Sequence, residues 1–416
     1  HAHNLQYKND KNKLQVTFNI LDRKKDGFSS PSNPNTPNYS GPGDDSFYPG
    51  KTINFDAQKV WDRMGKHSVV AGINWKKESF EQKRRELTNW RNHSSFDSTT
   101  YPGGLYEINK GATNNLALFV QDTYRPNFNW AIYTGLRIDR FKKFDGQHVT
   151  YDTNNNRYDT INHGEGSYTE WSPKLAIEHY VTDSLNVYAS YGHSFNPPPL
   201  SQVYRYSDVV RANPNLNPER SDTFEVGMKK EWGTKTALNL SAFYVKTKDK
   251  VKYVTHYDNN GDVDYKMYEN VDQETRRGIE LELRHQLSSK WSVFGNYTWQ
   301  MGRIKHKDLP NTNASGYEEI NYDIPKHIFH AGLEYTNGKW NALWDAQYVS
   351  RRQSVDDITG QYGSSDSYFI SNVAMNYKFS KEATLQLGIQ NVFNRVFFDD
   401  EATAGRTYSA SMKFKF

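Results

Sequence analysis

The chain has 416 residues and no cysteine, which excludes a disulfide, a thiolate metal site or a cysteine nucleophile within it. A formal net charge of +4 is too mild to argue for a nucleic-acid partner. Mean hydropathy is −0.91, and no run of about 18 apolar residues occurs that could form a transmembrane helix.

Low hydropathy does not exclude a membrane β-barrel, in which only alternate residues of each strand meet lipid. Aromatic residues make up 15% of the chain and 29 of them are Tyr, the excess that interfacial girdles of such a barrel need. The opening HAHNLQY lacks the basic and apolar regions of a signal peptide, so an exported protein would have lost its leader or carry it on another chain.

In chain order, residues 3–7 read as the tail of a strand, turning at 9–12 into Leu14, Val16, Phe18 and Ile20 on one face and Gln15, Thr17 and Asn19 on the other. Residues 26–50 are loop by composition, rich in Ser, Pro, Asn and Gly. A strand over 53–61 reaches a tight turn at Met64, Gly65 and Lys66, and Val69, Ala71, Ile73 and Trp75 climb back out. The rhythm of strand, tight turn, strand, long connection then repeats. Tight turns fall near Asn127, 182–184, 233–235, 288–290, Asn337-Gly338 and 380–381. Long connections are expected over 77–113, 143–167, 196–221, 247–264, 303–324, 351–366 and 397–405. One end of the molecule thus carries short turns and the other long loops, the asymmetry of an outer-membrane barrel.

The faces stay consistent along the strands. Trp130, Ile132, Thr134, Leu136 and Ile138 oppose Tyr133, Arg137 and Asp139; Ile279, Leu281 and Leu283 oppose Glu280, Glu282 and Arg284. In the last strand, residues 406–416, Tyr408, Ala410, Met412, Phe414 and Phe416 oppose Thr407, Ser409, Ser411, Lys413 and Lys415. A closed dry core rejects so many charges, whereas a wet lumen accepts them. A soluble β-sandwich accommodates them only if every charged face is turned to solvent, and a propeller needs a fixed-period repeat that is absent. The reading is an all-β, antiparallel transmembrane barrel with about sixteen strands plus a partial first one, in a single domain over residues 1–416.

Residues 185–229, LNVYASYGHSFNPPPLSQVYRYSDVVRANPNLNPERSDTFEVGMK, closely resemble the barrel of TonB-dependent outer-membrane transporters. So do NLALFVQDTYRP from Asn115, YENVDQETRRGIELEL from Tyr268, LGIQNVFNRVFF from Leu387 and the terminal GRTYSASMKFKF, in the family's order. The resemblance implies a full barrel of roughly 22 strands plugged by an N-terminal domain. The plug, its TonB-contacting box and about the first five or six strands have no counterpart here. A plug-bearing polypeptide completing the barrel is therefore an expected partner, with TonB acting through that plug and outer-membrane lipid around the wall.

The resemblance places the loop after Phe195 at an extracellular mouth. There Tyr204, Arg205, Tyr206, Asp208 and Arg211 lie between the 197–199 proline run and Asn213-Pro214-Asn215-Leu216. Tyr204, Arg205, Tyr206 and Arg211 are the candidate ligand-binding residues: the arginines suit carboxylates or catecholates and the tyrosines could ligate iron as phenolates. The bland alternative is a solvated loop tip. In haem-taking relatives the interval before NPNL often carries an iron-ligating His; this chain has none there. Alternation puts His193 on the outward face. His148, His163, His256 and His306 are expected in long loops, and the carboxylates of Asp399, Asp400 and Glu401 lack the spacing of a calcium loop.

No resident cofactor is called for, iron arriving as cargo. No G-x-S-x-G, H-E-x-x-H or phosphate-binding glycine loop points to an enzyme. The expectation is import of an iron chelate, with a ferric siderophore ahead of haem, and cobalamin or a glycan behind. The rivals are a surface adhesin, a porin-like barrel without energised transport, and an outer-membrane hydrolase whose Ser, His and Asp converge in space.

Overall fold

The computed structural model describes residues 1–23, 27–32, 40–207, 209–313, 316–321, 323–355, 362–365, 367–399 and 401–415. Its main sheet has 22 strands. Five are short pieces of the connections: Gly27–Pro31, Gly43–Phe47, Arg157–Asn162, Val210–Arg211 and Glu318–Asn321. The rest form an antiparallel meander: β1 (Ala2–Asn9), β2 (Leu14–Arg23), β3 (Gly50–Met64), β4 (His67–Leu87), β5 (Leu105–Asn127), β6 (Trp130–Asp152), β7 (Gly166–Thr182), β8 (Leu185–Asn196), β9 (Glu219–Trp232), β10 (Thr236–Tyr257), β11 (Val263–Gln286), β12 (Trp291–His306), β13 (His327–Asn337), β14 (Trp340–Val349), β15 (Tyr368–Lys378), β16 (Ala383–Gln390) and β17 (Thr407–Phe414). Each pairs with the next, from β1 with β2 to β16 with β17.

Cross-strand partners share a face, so the register shows how the side chains sort. Ile132, Ile177, Ala189, Val226, Ala242, Ile279 and Trp299 form one apolar row across seven strands. One residue along, Glu178, Tyr188, Gly227, Ser241, Glu280 and Thr298 form a polar row on the opposite face. The apolar face is open: Leu118 is 56% and Val226 57% exposed. Water would penalise such a continuous band, whereas lipid accepts it.

Aromatic pairs ring the short-turn end of that face. Trp130 stacks on His179 at 4.1 Å, Trp291 packs on Tyr335 at 4.6 Å and Trp340 on Tyr377 at 4.5 Å. Towards the loop end Trp171, Phe224, Tyr244, Phe329, Tyr348 and Phe369 stay exposed. These are the two interfacial girdles that the Tyr, Trp and Phe content foreshadows. At the short-turn rim, Gly338 of the Asn337-Gly338 hairpin has φ 56°, a left-handed conformation that glycine adopts without Cβ strain.

Several expected long loops are strand instead. β4, β5, β6, β10 and β11 run 21, 23, 23, 22 and 24 residues, about twice the 9–11 that a tilted strand needs to cross a bilayer. The connection expected over 77–113 shrinks to residues 88–104, and that over 247–264 is a tall hairpin turning at 258–262. Residues 26–50 hold a ribbon, Gly27–Pro31 against Gly43–Phe47. Polar residues on both faces hide these extensions, because above the lipid neither face is selected for apolarity. Among the described residues β1 pairs only with β2 and β17 only with β16, so both outer edges carry unpaired backbone groups. Lipid does not tolerate such edges.

Candidate binding site at the loop end

Residues 197–218 fold across the loop end of the barrel. Pro199 caps a single helical turn, α1 (Leu200–Val203). Its successor Tyr204 is fully buried in a small core with Val203 and Leu216, flanked by Leu200, Val251 and Tyr268. The Tyr204 ring lies over two glycines on adjacent strands, Gly111 of β5 and Gly146 of β6, where a Cβ on either would overlap it. Lys143 Nζ donates to the Leu216 carbonyl at 2.5 Å, and Asn213 Nδ2 donates to the Tyr268 carbonyl at 2.8 Å. Val210–Arg211 adds a short parallel pairing to Lys266 and Met267 of β11. The loop is thus clasped between the β5–β6 and β10–β11 hairpins.

That clasp divides the predicted residues. Tyr204 is a packing anchor, and burial, with Glu165 and Asp145 nearby, pushes its phenol up to about 12, away from phenolate formation. Arg205 is exposed, with its guanidinium 5.8 Å from the Tyr253 ring and a long contact, 3.4 Å, to the Tyr268 hydroxyl. Arg211 Nη1 donates to the Tyr206 hydroxyl at 3.2 Å and lies between the Tyr206 and Tyr265 rings, 5.7 and 5.9 Å from their centroids. Neither arginine makes an ion pair with a carboxylate among the described residues, which excludes Asp208 from the count. Arg220, by contrast, is saturated by a forked pairing with Glu170 and a 2.6 Å bond to Asp249, and serves structure.

Sequence reasoning missed the floor under Tyr206. Its ring sits 4.6 Å from His148 and 5.3 Å from His163. His148 was expected in a loop but lies on β6, buried, with Nδ1 2.9 Å from Asn109 Oδ1; Asn109 Nδ2 donates to Glu107 at 2.9 Å, and Arg84 donates to Glu107 at 3.0 Å. His163 keeps Nε2 buried without a partner, and its pKa is lowered by burial and by His148. His256 and His306 are strand residues too: His256 faces Glu269 at 3.2 Å, and His306 is held between Asp272 at 3.0 Å and Glu319 at 3.1 Å. His193 lies in the outward row, its Nδ1 2.8 Å from Asp222. Asp400 lies outside the described residues, and the side chains of Asp399 and Glu401 are not described. Gly111 and Gly146 carried a signal in principle, since glycines near one another on paired strands mark a close approach.

Below the clasp a cavity of about 630 Å³ opens on the lumen side, lined by Asp56, Asn74, Lys76, Glu78, Lys174 and the pair Arg137 and Asp139. Arg137 grips Asp139 through two bonds of 2.8 Å, and Asn115 donates to the same carboxylate at 2.8 Å. The structure therefore gathers arginine donors, phenols and imidazoles at the loop end, and a separate polar cavity lies on the lumen face of the neighbouring strands. No group of three His, Asp or Glu side chains is placed to hold a bare metal ion among the described residues.

Residues 1–392 match the family described as TonB dependent receptor-like, beta-barrel. The catecholate siderophore receptor Fiu of Escherichia coli O157:H7 is 22% identical over 329 residues, covering 72% of this chain and 40% of that protein. The chain thus spans about two fifths of this relative's length. In the solved structures, the ferric-catecholate import receptor Fiu of K12 E. coli superposes with TM-score 0.69 at 16% identity, over 100% of this chain and 63% of that one. The copper transporter OprC superposes with TM-score 0.68 at 17% identity, over 97% and 64%.

Proposed function

Because the chain belongs to the TonB-dependent receptor β-barrel family of the outer membrane, we propose that it is the barrel wall of an energised importer. Its cargo is an anionic iron chelate, a ferric siderophore first and haem second, captured around Tyr206. The observation that carries this reading is the pair of arginines, Arg205 and Arg211, set among Tyr206, Tyr253, Tyr265 and Tyr268 without competing carboxylates among the described residues. Guanidinium forks bond the oxygens of a catecholate or carboxylate chelate, and the phenol faces stack on its flat rings. A three-ligand cluster for bare metal is absent from the described residues, which favours recognition of the organic shell.

In this reading the long-loop end faces outward and the polar lumen conducts. A 22-stranded wall needs about five strands beyond these seventeen, and the unpaired edges of β1 and β17 are where they would add. The plug, continuous with this chain or on a second polypeptide, is the part on which TonB acts. An adhesin or simple porin would have no need of arginines held at the loop end without an ion pair among the described residues.

The test is a fluorescence titration of the receptor, extracted with its plug, against a ferric catecholate and against haem. Saturable binding is expected, weakened at least about tenfold by Tyr206→Ala or Arg211→Ala, each of which removes a charge-assisted or stacking contact. Absence of saturable binding to either iron compound would sink the proposal.

A further inference from the structure

We infer an interaction surface at the short-turn rim: an arc of lysines, centred on Lys235, Lys290 and Lys339, that fits a linear carboxylated glycan, the chemistry of the cell-wall polymer beneath an outer membrane. The inference rests on the orientation in the proposed function, with the long loops outside and the tight turns facing the wall.

The arc follows from one repeated hydrogen bond. In every tight turn among the described residues, the residue just before the ascending strand offers its carbonyl to an amide of the following strand pair. Lysine fills five of these eight equivalent positions, as Lys13, Lys66, Lys235, Lys290 and Lys339; the others are Asn129, Ser184 and Glu382. The bond is made by backbone, so Asn, Ser and Glu form it as well as Lys does. The side chain is left to be selected by what lies below the rim. Lys13 pairs with Asp62, and Lys66 Nζ donates to the Pro126 carbonyl at 2.5 Å. Lys235, Lys290 and Lys339, on three consecutive hairpins, are exposed and form no ion pair among the described residues. The turns at 287–290 and 337–339 contain no carboxylate. Lys378, whose amide meets the Lys339 carbonyl, extends the arc through Thr384 to Lys413 in one cross-strand row.

Alternation turns the arc away from lipid. Lys290 and Lys339 precede Trp291 and Trp340 of the lipid-facing girdle, and Lys378 follows Tyr377 of the same girdle. Neighbours along a strand take opposite faces, so these ammonium groups belong to the water side of the rim. Strands lie about 4.8 Å apart, and at a tilt near 40° equivalent turns recur every 12 Å or so along the rim. An extended glycan with one carboxylate per disaccharide carries its charge on a similar repeat, and each carboxylate can meet one ammonium. A globular acidic partner would need no fixed period, and a phospholipid headgroup would be met on the outward face.

The test is co-sedimentation of the detergent-extracted receptor, with its plug, on purified peptidoglycan sacculi. Saturable binding is expected, weakening as salt rises, and falling at least about tenfold in Lys235→Gln/Lys290→Gln/Lys339→Gln, whereas arginine at the three positions retains it. Sacculi whose carboxylates have been converted to amides are expected to lose the receptor. The triple variant should bind ferric catecholate as the unaltered receptor does, so failure of one binding does not report on the other. Protease access to residues 197–218 from outside intact cells reports the orientation separately. Should the triple variant lose heat-modifiable folding, the amidated sacculi decide the matter on the unaltered protein. The assignment is overturned by no saturable binding, by salt-independent binding, by equal binding to amidated sacculi, or by unchanged affinity in a folded triple variant. Displacement by phosphatidylglycerol at lower concentration than by soluble glycan fragments would overturn it too, assigning the arc to lipid.

Discussion

Around the membrane belt each strand obeys a single selection: odd and even residues meet different solvents, and Ile279 and Glu280, adjacent in sequence, end up in lipid and lumen. Above the belt β5, β6, β10 and β11 continue as antiparallel pairs, with register shifts near Lys110 and Lys250, but burial there is decided by what leans on them. Gly146 exists to admit Tyr204, and Glu107, Asn109 and His148 are buried because a loop and neighbouring strands cover them. Position on the belt follows from a residue's own face, whereas position in the crown follows from partners as many as 97 residues away, as for Asn109 and the Tyr206 carbonyl.

That contrast can be broken on purpose. Tyr204→Ala removes the most deeply buried aromatic of the crown and is expected to cost about 3–5 kcal/mol of local packing. Hydrogen exchange should then rise through residues 197–218 and leave the belt strands protected; equal deprotection of both would erase the distinction. On the belt, Leu281→Lys puts an ammonium near the lipid midplane and is expected to cost about 2–4 kcal/mol, whereas Thr298→Lys, on the lumen face of the neighbouring strand, should stay within about 0.5 kcal/mol. Urea unfolding of the two variants in bilayers measures that difference.

Smaller effects sharpen the crown. Gly146→Ala overpacks the Tyr204 ring and is expected to cost about 1–3 kcal/mol, read as faster proteolysis within the loop. His163 titrates the clasp. Burial lowers its pKa, so the undocked loop takes up a proton more readily than the docked one. Well above the ordinary imidazole value both forms are neutral and pH has no effect through this group. As pH falls below that value the docked form loses stability, levelling off once the depressed value is passed. Loop proteolysis should therefore quicken on mild acidification, and His163→Gln should flatten the profile.

How much was legible in the sequence follows the same division. The period-2 faces, the tight turns and the terminal strand were readable because lipid and lumen act on every residue of the belt alike. Strand lengths were not, since 77–87, 143–152 and 247–257 are polar on both faces and look like loops. Arg205, Tyr206 and Arg211 could be put forward as candidates from the segment around the proline run, and they remain proposals for the binding titration to test. That Tyr204 would turn inward could not, because its pocket is made by Gly111 and Gly146 on strands distant in sequence. His148 was misplaced for the same reason, its partners Asn109 and Glu107 being fixed only by the β5–β6 register.

The absence of cysteine permits the most direct test of where cargo is caught, since one introduced thiol carries a fluorophore to a single place. Ser201 is exposed on the clasp, and Asn296 faces the lumen deep in the belt. Ferric catecholate added without TonB should quench a label at Ser201→Cys saturably and leave one at Asn296→Cys unchanged. Saturable quenching at Asn296 with none at Ser201 would place capture in the lumen and contradict the crown as the receptor site.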